Sequence, residues 1–247
     1  MYTRDEFEAL RTKAAEEMAA DENLQRKAWD IIVQADRYNW IHQTTWFGEP
    51  ILQLPQDMFA FQEIIFKTRP KFIIELGTAW GGSLLFYSTI MEAIGGEGII
   101  GVDIYIPDDL KQRVGSFGRL SERIKWVNGS SVDPDTLEKI KSIIGDEKQV
   151  MVVVDTFHTH EHVLQELRMY SDLVGVGCYM VCCDTHVENI PEIVANRPRP
   201  WGKGNNPMTA LREFLAENDQ FEIDKQIENK LLLTLHPSGY LRRKYQV

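Results

Sequence analysis

The chain has 247 residues, of which 43% are hydrophobic and 26% charged, and its formal net charge at pH 7 is -10. This length predicts one domain with an N-terminal extension rather than several independent domains. The negative charge excludes a general electrostatic basis for binding nucleic acid. The sequence shows neither a signal-peptide core nor an apolar stretch of membrane-spanning length, so we expect neither a membrane nor a nucleic acid as partner.

The three cysteines, Cys178, Cys182 and Cys183, lie in one apolar segment. This clustering is typical of free thiols in a reducing compartment and not of a disulfide framework, so we expect a cytoplasmic protein. We interpret Cys178 and Cys182 as small buried side chains of a central strand.

Residues 1–55 are predicted to form a helical extension that ends in a covering loop. Thr3 and Glu6 have the spacing of a capping box, and apolar residues follow at helical intervals, which predicts an amphipathic helix. A second helix is predicted over about residues 22–37. The aromatic and turn-rich segment 39–55 is interpreted as a loop that covers a site, which leaves 56–247 for the main domain.

From residue 71 onward, short apolar runs alternate with helical stretches. The runs are KFIIEL (71–76), GIIGVDI (98–104), RIKWVNG (123–129), QVMVVVDT (149–156) and CYMVCCDT (178–185). This pattern predicts a doubly wound α/β fold with a mostly parallel sheet. Asn206 and Pro207 predict the start of a late helix, and residues 221–227 and 230–236 predict an antiparallel C-terminal hairpin. The ligand crevice is expected at the carboxyl ends of the central strands.

A glycine-rich turn follows the first of these runs, in the sequence ELGTAWGGS (75–83). Such a turn lets the backbone approach a ligand closely, although a tight connection between strand and helix needs glycines as well. Ala79 breaks the dinucleotide pattern, and Glu75 is placed to receive a cationic ligand group. The residues of this turn predicted to bind a cofactor are Glu75, Gly77, Thr78, Gly81 and Ser83.

Asp103 ends the second run, where a carboxylate can accept hydrogen bonds from the two hydroxyls of an adenosine ribose. An alternative is that Asp103 only forms the turn at the strand end. Ser130, after the third run, is predicted on the adenine side of the same crevice. Together with the glycine turn, these residues favour an adenosine ligand that needs no pyrophosphate.

Asp155 and Asp184 follow the fourth and fifth runs, so the fold is expected to bring them together at the crevice mouth. Facing carboxylates repel unless a cation or a proton lies between them, which favours a hard ion such as Mg²⁺. Two separate, solvated turn aspartates are the alternative. His158 is placed to act as a general base on a substrate hydroxyl.

His158, His160 and His162 also suggest a metal-dependent hydrolase. If a helix begins near Thr159, however, His160 and His162 point to opposite sides and cannot bind the same ion. A nucleotide-binding module without catalysis is the other alternative. The turn-rich segment 197–206, with Trp201 and several amides, is either a cover for a polar substrate or an ordinary exposed loop.

Three blocks of sequence carry a resemblance to a known family. They are ELGTAWGGS (75–83), DTFHTHEHV (155–163) and RPWGKGNNP (199–207). The chain resembles the cephalosporin hydroxylase family of class I methyltransferases and, more distantly, the metal-dependent macrolide-sugar O-methyltransferases. The resemblance covers roughly residues 40–243 and implies a Rossmann-like class I methyltransferase fold.

The resemblance implies S-adenosylmethionine as cofactor, Mg²⁺ near the substrate hydroxyl, and a homo-oligomer. It implies that Asp155 and Asp184 are metal ligands, that Asp155 also belongs to the catalytic and cofactor-binding residues, and that His158 is the catalytic base. Relatives have Glu-Asp where this chain has Cys183 and Asp184. A thiol is a poor ligand for a hard ion, so Cys183 leaves open a Mg²⁺ site, a site for a softer ion, or none.

The reaction implied is in-line methyl transfer to a hydroxyl of a small molecule, with the proton removed by His158. A metal at Asp155 and Asp184 would orient a vicinal diol and lower the pKa of its hydroxyl. The expected acceptor is therefore a sugar or a glycosylated natural product.

Overall fold

A computed structural model describes residues 2–191 and 199–245 of the chain. The helices are α1 (Arg4–Ala20), α2 (Glu22–Asp36), α3 (Pro55–Thr68), α4 (Gly82–Ile94), α5 (Asp108–Gly115), α6 (Arg119–Glu122), α7 (Pro134–Ile144), α8 (His160–Tyr170), α9 (Pro207–Glu217) and α10 (Lys225–Glu228). The strands are β1 (Thr44–Trp46), β2 (Glu49–Ile51), β3 (Phe72–Leu76), β4 (Gly98–Asp103), β5 (Ile124–Asn128), β6 (Val150–Val154), β7 (Tyr179–Cys182), β8 (Phe221–Ile223) and β9 (Tyr240–Arg243).

Seven strands form the main sheet in the order β5-β4-β3-β6-β7-β9-β8. The five apolar runs of the sequence become β3 to β7, and these strands pair in parallel. Among the described strands of this sheet, β9 alone is reversed, because it pairs antiparallel with both β7 and β8. The predicted doubly wound, mostly parallel α/β sheet with antiparallel C-terminal strands is confirmed.

Apolar side chains are buried on both faces of the sheet. One cluster contains Ile73 of β3 with residues of α3 and α4, and the other contains Ile74 of β3 with residues of α8 and α9. Successive side chains of a strand point to opposite faces, so a strand covered on both sides must be apolar throughout. This requirement explains why the strands were recognisable as continuous apolar runs.

The helix ends follow from capping residues that the sequence predicted. The Thr3 hydroxyl accepts from the backbone N–H of Glu6, and the Glu6 carboxylate accepts from the backbone N–H of Thr3. At α9, the Asn206 side chain accepts from the N–H groups of Met208 and Thr209. These contacts satisfy backbone donors that lack a partner within the helix.

The segment between α2 and α3 is more regular than predicted. Instead of a loop alone, it contains a short 3₁₀ turn (Trp40–His42) and a two-stranded hairpin of β1 and β2. The hairpin packs on the start of α4, where a Cβ atom at Gly82 would lie 2.4 Å from the carbonyl oxygen of Pro50. The contact therefore requires glycine at position 82.

The predicted C-terminal hairpin of 221–227 with 230–236 is wrong in its second strand. β8 lies within the first run, but its partner is β9, and residues 230–236 are not a strand. Three contacts to the buried carboxylate of Asp57 hold this segment, from the Thr234 hydroxyl, the Leu235 N–H and the Tyr240 hydroxyl. Asp57 lies more than 170 positions before these donors in the chain, so the leucine-rich run alone was misleading.

Within the described residues, none of the helices combines the length and the apolar composition needed to cross a membrane.

Candidate active site

A cavity of about 1050 Å³ lies at the carboxyl ends of β3, β4, β6 and β7. Ligand pockets are usually about 300–1,000 Å³, so this cavity has room for a cofactor and an acceptor together. Its position is the one predicted for a doubly wound sheet. Residues of the N-terminal extension, including Ile41 and Gln53, also line it.

The glycine turn forms one wall of this cavity, and its geometry explains the residue types. Gly77 has φ +88°, and a Cβ atom there would lie 1.9 Å from the carbonyl oxygen of Asp155. Gly81 has φ +77° and precedes the first turn of α4. Both positions therefore require glycine, and Thr78 between them lines the cavity.

Glu75 lies near the end of β3, just before the glycine turn, and is buried. Its carboxylate accepts a hydrogen bond of 2.8 Å from the Ser83 hydroxyl. Burial raises the pKa of Glu75 to about 8, against the lowering effect of hydrogen bonds from Ser83 and Tyr87. A cationic ligand group beside Glu75 would favour its charged form.

Asp103 lies at the end of β4, on the adjoining wall of the cavity. One carboxylate oxygen accepts from the backbone N–H of Thr78 at 3.0 Å, and the other accepts from the N–H of Tyr105 at 3.1 Å. These bonds hold the carboxylate in place with lone pairs left for further donors. Ser130 lines the cavity next to this wall, as predicted.

Asp155, His158 and Asp184 meet in the same cavity, where the backbone of Asp155 lies against Gly77 of the glycine turn. The His158 Nε2 atom lies 3.4 Å from an Asp184 oxygen and 3.9 Å from an Asp155 oxygen. One ligand atom from each of the three residues lies within 4.8 Å of the others. The structure thus brings together the three residues that the sequence assigned to acid-base and metal chemistry.

The two carboxyl groups of this cluster differ in pKa. Desolvation and the neighbouring charge of Asp184 raise the pKa of Asp155 well above its usual value. Desolvation also acts on Asp184, but the imidazoles of His158 and His186, when protonated, lower its pKa overall. Asp155 therefore favours its protonated form when no cation is present, and Asp184 stays charged.

Gln53 completes this side of the cavity and was not predicted from the sequence. Its side-chain N–H donates to Asp155 at 2.7 Å, across 102 positions of the chain. Its side-chain oxygen is buried and has no hydrogen-bond partner among the described atoms. The sequence signal for Gln53 was limited to its place in segment 39–55, which was interpreted as a loop that covers a site.

The donor set fits a hard divalent cation. Two carboxylates, one imidazole and an unpartnered amide oxygen are ligand types that such an ion accepts. A cation between Asp155 and Asp184 would also remove the repulsion that raises the Asp155 pKa.

Cys183 does not belong to this group of ligand atoms. It is buried in the apolar cluster on one face of the sheet, whereas Cys182 points to the other face. Burial raises the pKa of the Cys183 thiol well above its usual value, so the thiolate is disfavoured. Because metal ligation needs the thiolate, the structure gives Cys183 no support as a ligand.

The three histidines point to different partners. His160 Nδ1 lies 2.9 Å from the Thr209 hydroxyl of α9. His162 Nε2 lies 3.2 Å from the Ser131 hydroxyl and 3.4 Å from the buried Glu166. Neither His160 nor His162 lies beside His158, which agrees with the predicted start of the helix near Thr159. The three histidines therefore do not form the metal site of the hydrolase alternative.

An aromatic wall flanks His158. The ring of Trp201 lies 5.0 Å from the His158 ring and 5.4 Å from the Phe157 ring, centroid to centroid, and the Arg199 guanidinium lies over Trp201. The first part of the predicted covering segment, Arg197 and Pro198, lies outside the described residues. Of the described part of that segment, Arg199, Trp201, Gly202 and Lys203 line the cavity.

His186 is a further cavity residue that sequence reasoning missed. Its Nδ1 lies 3.0 Å from the carbonyl oxygen of Leu235, and desolvation lowers its pKa. The ring is therefore neutral near pH 7. The sequence signal that could have indicated His186 was its position two residues after Asp184, directly after the end of the same apolar run.

The strand order, the glycine turn and the acidic strand ends together define a class I methyltransferase fold. Residues 38–244 match the family described as Rhamnosyl O-methyltransferase/CmcI, and the chain belongs to this family. A Rhamnosyl O-methyltransferase of Mycobacterium bovis is 28% identical over 204 residues, which are 81% of this chain and 78% of the relative.

Two solved structures share the fold. An apo structure of CmcI is 20% identical, with a TM-score of 0.58, and the match covers 83% of this chain and 78% of that one. A structure of CmcI with Mg-SAM is also 20% identical, with a TM-score of 0.55 and the same coverage.

Proposed function

We propose that the chain is an S-adenosylmethionine-dependent O-methyltransferase that methylates a hydroxyl of a sugar or a glycosylated natural product. The observation that carries the proposal is the group of Asp155, His158 and Asp184, which lines the same cavity as the glycine turn. The M. bovis relative is a rhamnosyl O-methyltransferase by name, and CmcI has been solved with Mg-SAM. Both names support the proposed donor, metal and acceptor class.

The cofactor would lie along the glycine turn. Bound S-adenosylmethionine supplies an electrophilic methyl group on a sulfonium. Asp103 would accept hydrogen bonds from the ribose hydroxyls, and Glu75 lies where its charged form would pair with a cationic group of the ligand. Ser130 would face the adenine.

Asp155 and Asp184 would hold Mg²⁺, with the unpartnered oxygen of Gln53 close to Asp155. When bound, the ion supplies a Lewis acid that orients a diol and lowers the pKa of its hydroxyl. His158 would take the proton from that hydroxyl at Nε2, which already faces the two carboxylates. Trp201 and Phe157 would limit the entry of water and offer an apolar surface to a sugar ring.

The proposal is tested by a screen for methyl transfer to rhamnosides, other glycosides and nucleotide-sugars, with S-adenosylhomocysteine release as readout. We expect His158→Ala to lower turnover by about 10²–10⁴-fold while retaining cofactor affinity. His160→Ala is the matched control, because His160 bonds to α9 and does not touch the cluster. If no acceptor in the screen gives S-adenosylhomocysteine, the assignment of a sugar acceptor is contradicted. Retained turnover in His158→Ala would contradict the role of His158 as the base.

A metal titration separates two roles for His158. If His158 is the base, His158→Ala leaves the affinity for Mn²⁺ nearly unchanged, whereas Asp155→Asn and Asp184→Asn weaken it strongly. If His158 is a ligand, its loss weakens Mn²⁺ binding as well. Binding of S-adenosylhomocysteine without any methyl transfer would instead favour a nucleotide-binding module.

We also propose a homo-oligomer in the cytoplasm. α1 buries none of its residues, and Phe7 and Leu10 on this helix are exposed, as is Ile31 on α2. The three cysteines are free thiols, which supports a reducing compartment. A monomeric mass by light scattering at micromolar concentration would contradict the oligomer.

A further inference from the structure

The irregular segment before β9 is bonded to the turn that carries Asp184. The Asp184 N–H donates to His236 Nδ1 at 3.0 Å, and the His186 N–H donates to the Leu235 carbonyl at 3.1 Å. Between them, the Thr185 hydroxyl donates to the Pro237 carbonyl at 2.7 Å. Each residue from 184 to 186 therefore has a hydrogen-bond partner between 235 and 237.

Asp184 needs such support because its backbone is in the left-handed region, with φ 54° and ψ 26°. This conformation is unfavourable for a residue with a Cβ atom, and it persists only where surrounding contacts hold it. The backbone at Asp184 sets the direction in which its carboxylate leaves the strand end. A contact that fixes this backbone therefore restrains where the Asp184 carboxylate lies relative to Asp155.

His236 is held firmly enough to act as that contact. The residue has no exposed surface, and its ring packs edge-on against Phe61 and Tyr240, with centroids 6.0 and 5.9 Å away. Since Nδ1 accepts from Asp184, the proton of the neutral ring must lie on Nε2. Nε2 has no hydrogen-bond partner among the described atoms, so the bond to Asp184 is the polar contact that orients the ring.

The segment that carries His236 is itself anchored. Asp57 of α3 is fully buried, and its carboxylate accepts from the Thr234 hydroxyl and from the N–H of Leu235. The chain of contacts therefore runs from α3 through residues 234–236 to the strand end. None of these residues lies among the proposed metal ligands.

We propose that His236 is a positioning residue, which holds the left-handed backbone of Asp184 and thereby sets the carboxylate geometry for the divalent cation. The consequence for metal binding rests on the proposed function, whereas the backbone contact does not. Outer partners of metal ligands commonly change metal affinity by about 10- to 100-fold when they are lost.

Two variants test the role of the Nδ1 acceptor. His236→Leu fills part of the ring volume but removes the acceptor, and His236→Asn places an amide oxygen near the position of Nδ1. His160→Leu is the matched control, because it also removes a hydrogen-bonded histidine but outside the site. All proteins are compared by hydrogen exchange of the peptide covering residues 183–187 and by calorimetric titration with Mn²⁺.

We expect His236→Leu to speed exchange in this peptide and to weaken Mn²⁺ binding about tenfold or more. His236→Asn should restore most of both properties, and His160→Leu should match the wild type. If His236→Leu does not fold, His236→Gln replaces it, since its oxygen lies one methylene further out and should not restore slow exchange.

Unchanged exchange in a folded variant that lacks the acceptor would overturn the proposal. Equal effects of His236→Leu and His236→Asn would also overturn it, because the loss of ring volume, and not the loss of the acceptor, would then be the cause. If the wild type binds no Mn²⁺, the metal part of the proposed function fails, and the exchange data alone still decide whether His236 holds Asp184.

Discussion

Asp103 holds the glycine turn and faces the cavity at the same time. Asp103→Ala removes the acceptor of two proposed ribose bonds, each worth about 1 kcal/mol or more because the acceptor is charged. We therefore expect the dissociation constant of S-adenosylhomocysteine to rise about 10- to 100-fold in calorimetry. Asp146→Ala, at an exposed aspartate far from the cavity, is the control. Equal affinity in the Asp103 and Asp146 variants would remove Asp103 from the site.

The resemblance drawn from the sequence implies a glutamate in relatives at the position of Cys183. We expect Cys183→Glu to strengthen Mg²⁺ binding and to lower the melting temperature of the metal-free protein. Both effects follow from adding a carboxylate beside Asp155 and Asp184, since the charges of these two already act on the Cys183 thiol.

Cys183→Gln is the control for this substitution, because it adds the same bulk to the buried site without the charge. The measurement is a Mg²⁺ titration of melting temperature and methyl-transfer rate after exhaustive chelation. If the Glu variant binds Mg²⁺ no better than the Gln variant, the thiol position lies out of reach of the metal. Full activity of the chelated wild type would remove the metal from the mechanism.

At the scale of elements, the contact of the β1–β2 hairpin with α4 depends on Gly82. Gly82→Ala places a methyl group against the carbonyl oxygens of Pro50 and Glu49, at 2.4 and 2.6 Å. We expect a loss of about 1–3 kcal/mol in stability, as is typical when a packed contact is overfilled. Displacing the hairpin also moves Gln53 away from Asp155, so Mn²⁺ affinity should fall.

Gly115→Ala is the matched control for Gly82→Ala, because a Cβ atom at Gly115 meets nothing within 4 Å. Urea unfolding and Mn²⁺ titration of both variants decide the matter. A Gly82 variant as stable as the Gly115 variant would mean that the hairpin is not seated on α4 in solution.

The strands of the parallel sheet were predictable because burial on both faces leaves an uninterrupted apolar run. The strand ends carrying Asp103, Asp155 and Asp184 followed from the same pattern, since parallel strands end at one edge. The hairpin at 44–51 was not predictable, because its strands have three residues each and Pro50 lies in one of them.

Contacts between distant parts of the chain account for the remaining differences between the predicted and the observed structure. Gln53 reaches Asp155, and His236 reaches Asp184, through contacts that no local pattern encodes. The leucine-rich run 231–235 resembles a strand, yet its backbone and side chains bond to the buried carboxylate of Asp57 instead. Sequence patterns therefore predict the elements and their ends, and distant polar contacts decide how the site is completed.

At the scale of the whole molecule, buried Glu75 makes stability depend on pH. Its pKa of about 8 in the folded chain exceeds the usual 4.5, so between these values the folded state holds a proton that the unfolded state has lost. Neutral Glu75 contributes most to the free energy of unfolding below about pH 4.5. As the pH rises from there to about 8, this contribution falls by roughly 1.4 kcal/mol per pH unit.

The ligand-free wild type should therefore lose more stability between pH 6 and 8 than Glu75→Gln, which keeps the polar group but cannot ionise. Denaturant unfolding at several pH values measures this difference. Glu97→Gln, at an exposed glutamate paired with Lys71, is the control and should follow the wild type. Parallel pH profiles for the wild type and Glu75→Gln would contradict the burial of a protonated Glu75.

The place of β9 between β7 and β8 has a consequence for synthesis on the ribosome. β7 is made more than fifty residues before β9, so the nascent chain exposes its unpaired edge until residues 240–243 emerge. Such an edge can pair with other extended chains. Products terminated before Pro237 would lack β9, which is the antiparallel partner of β7, and the contact of Pro237 with Thr185. Such products should accumulate as aggregates rather than as weakly active enzyme.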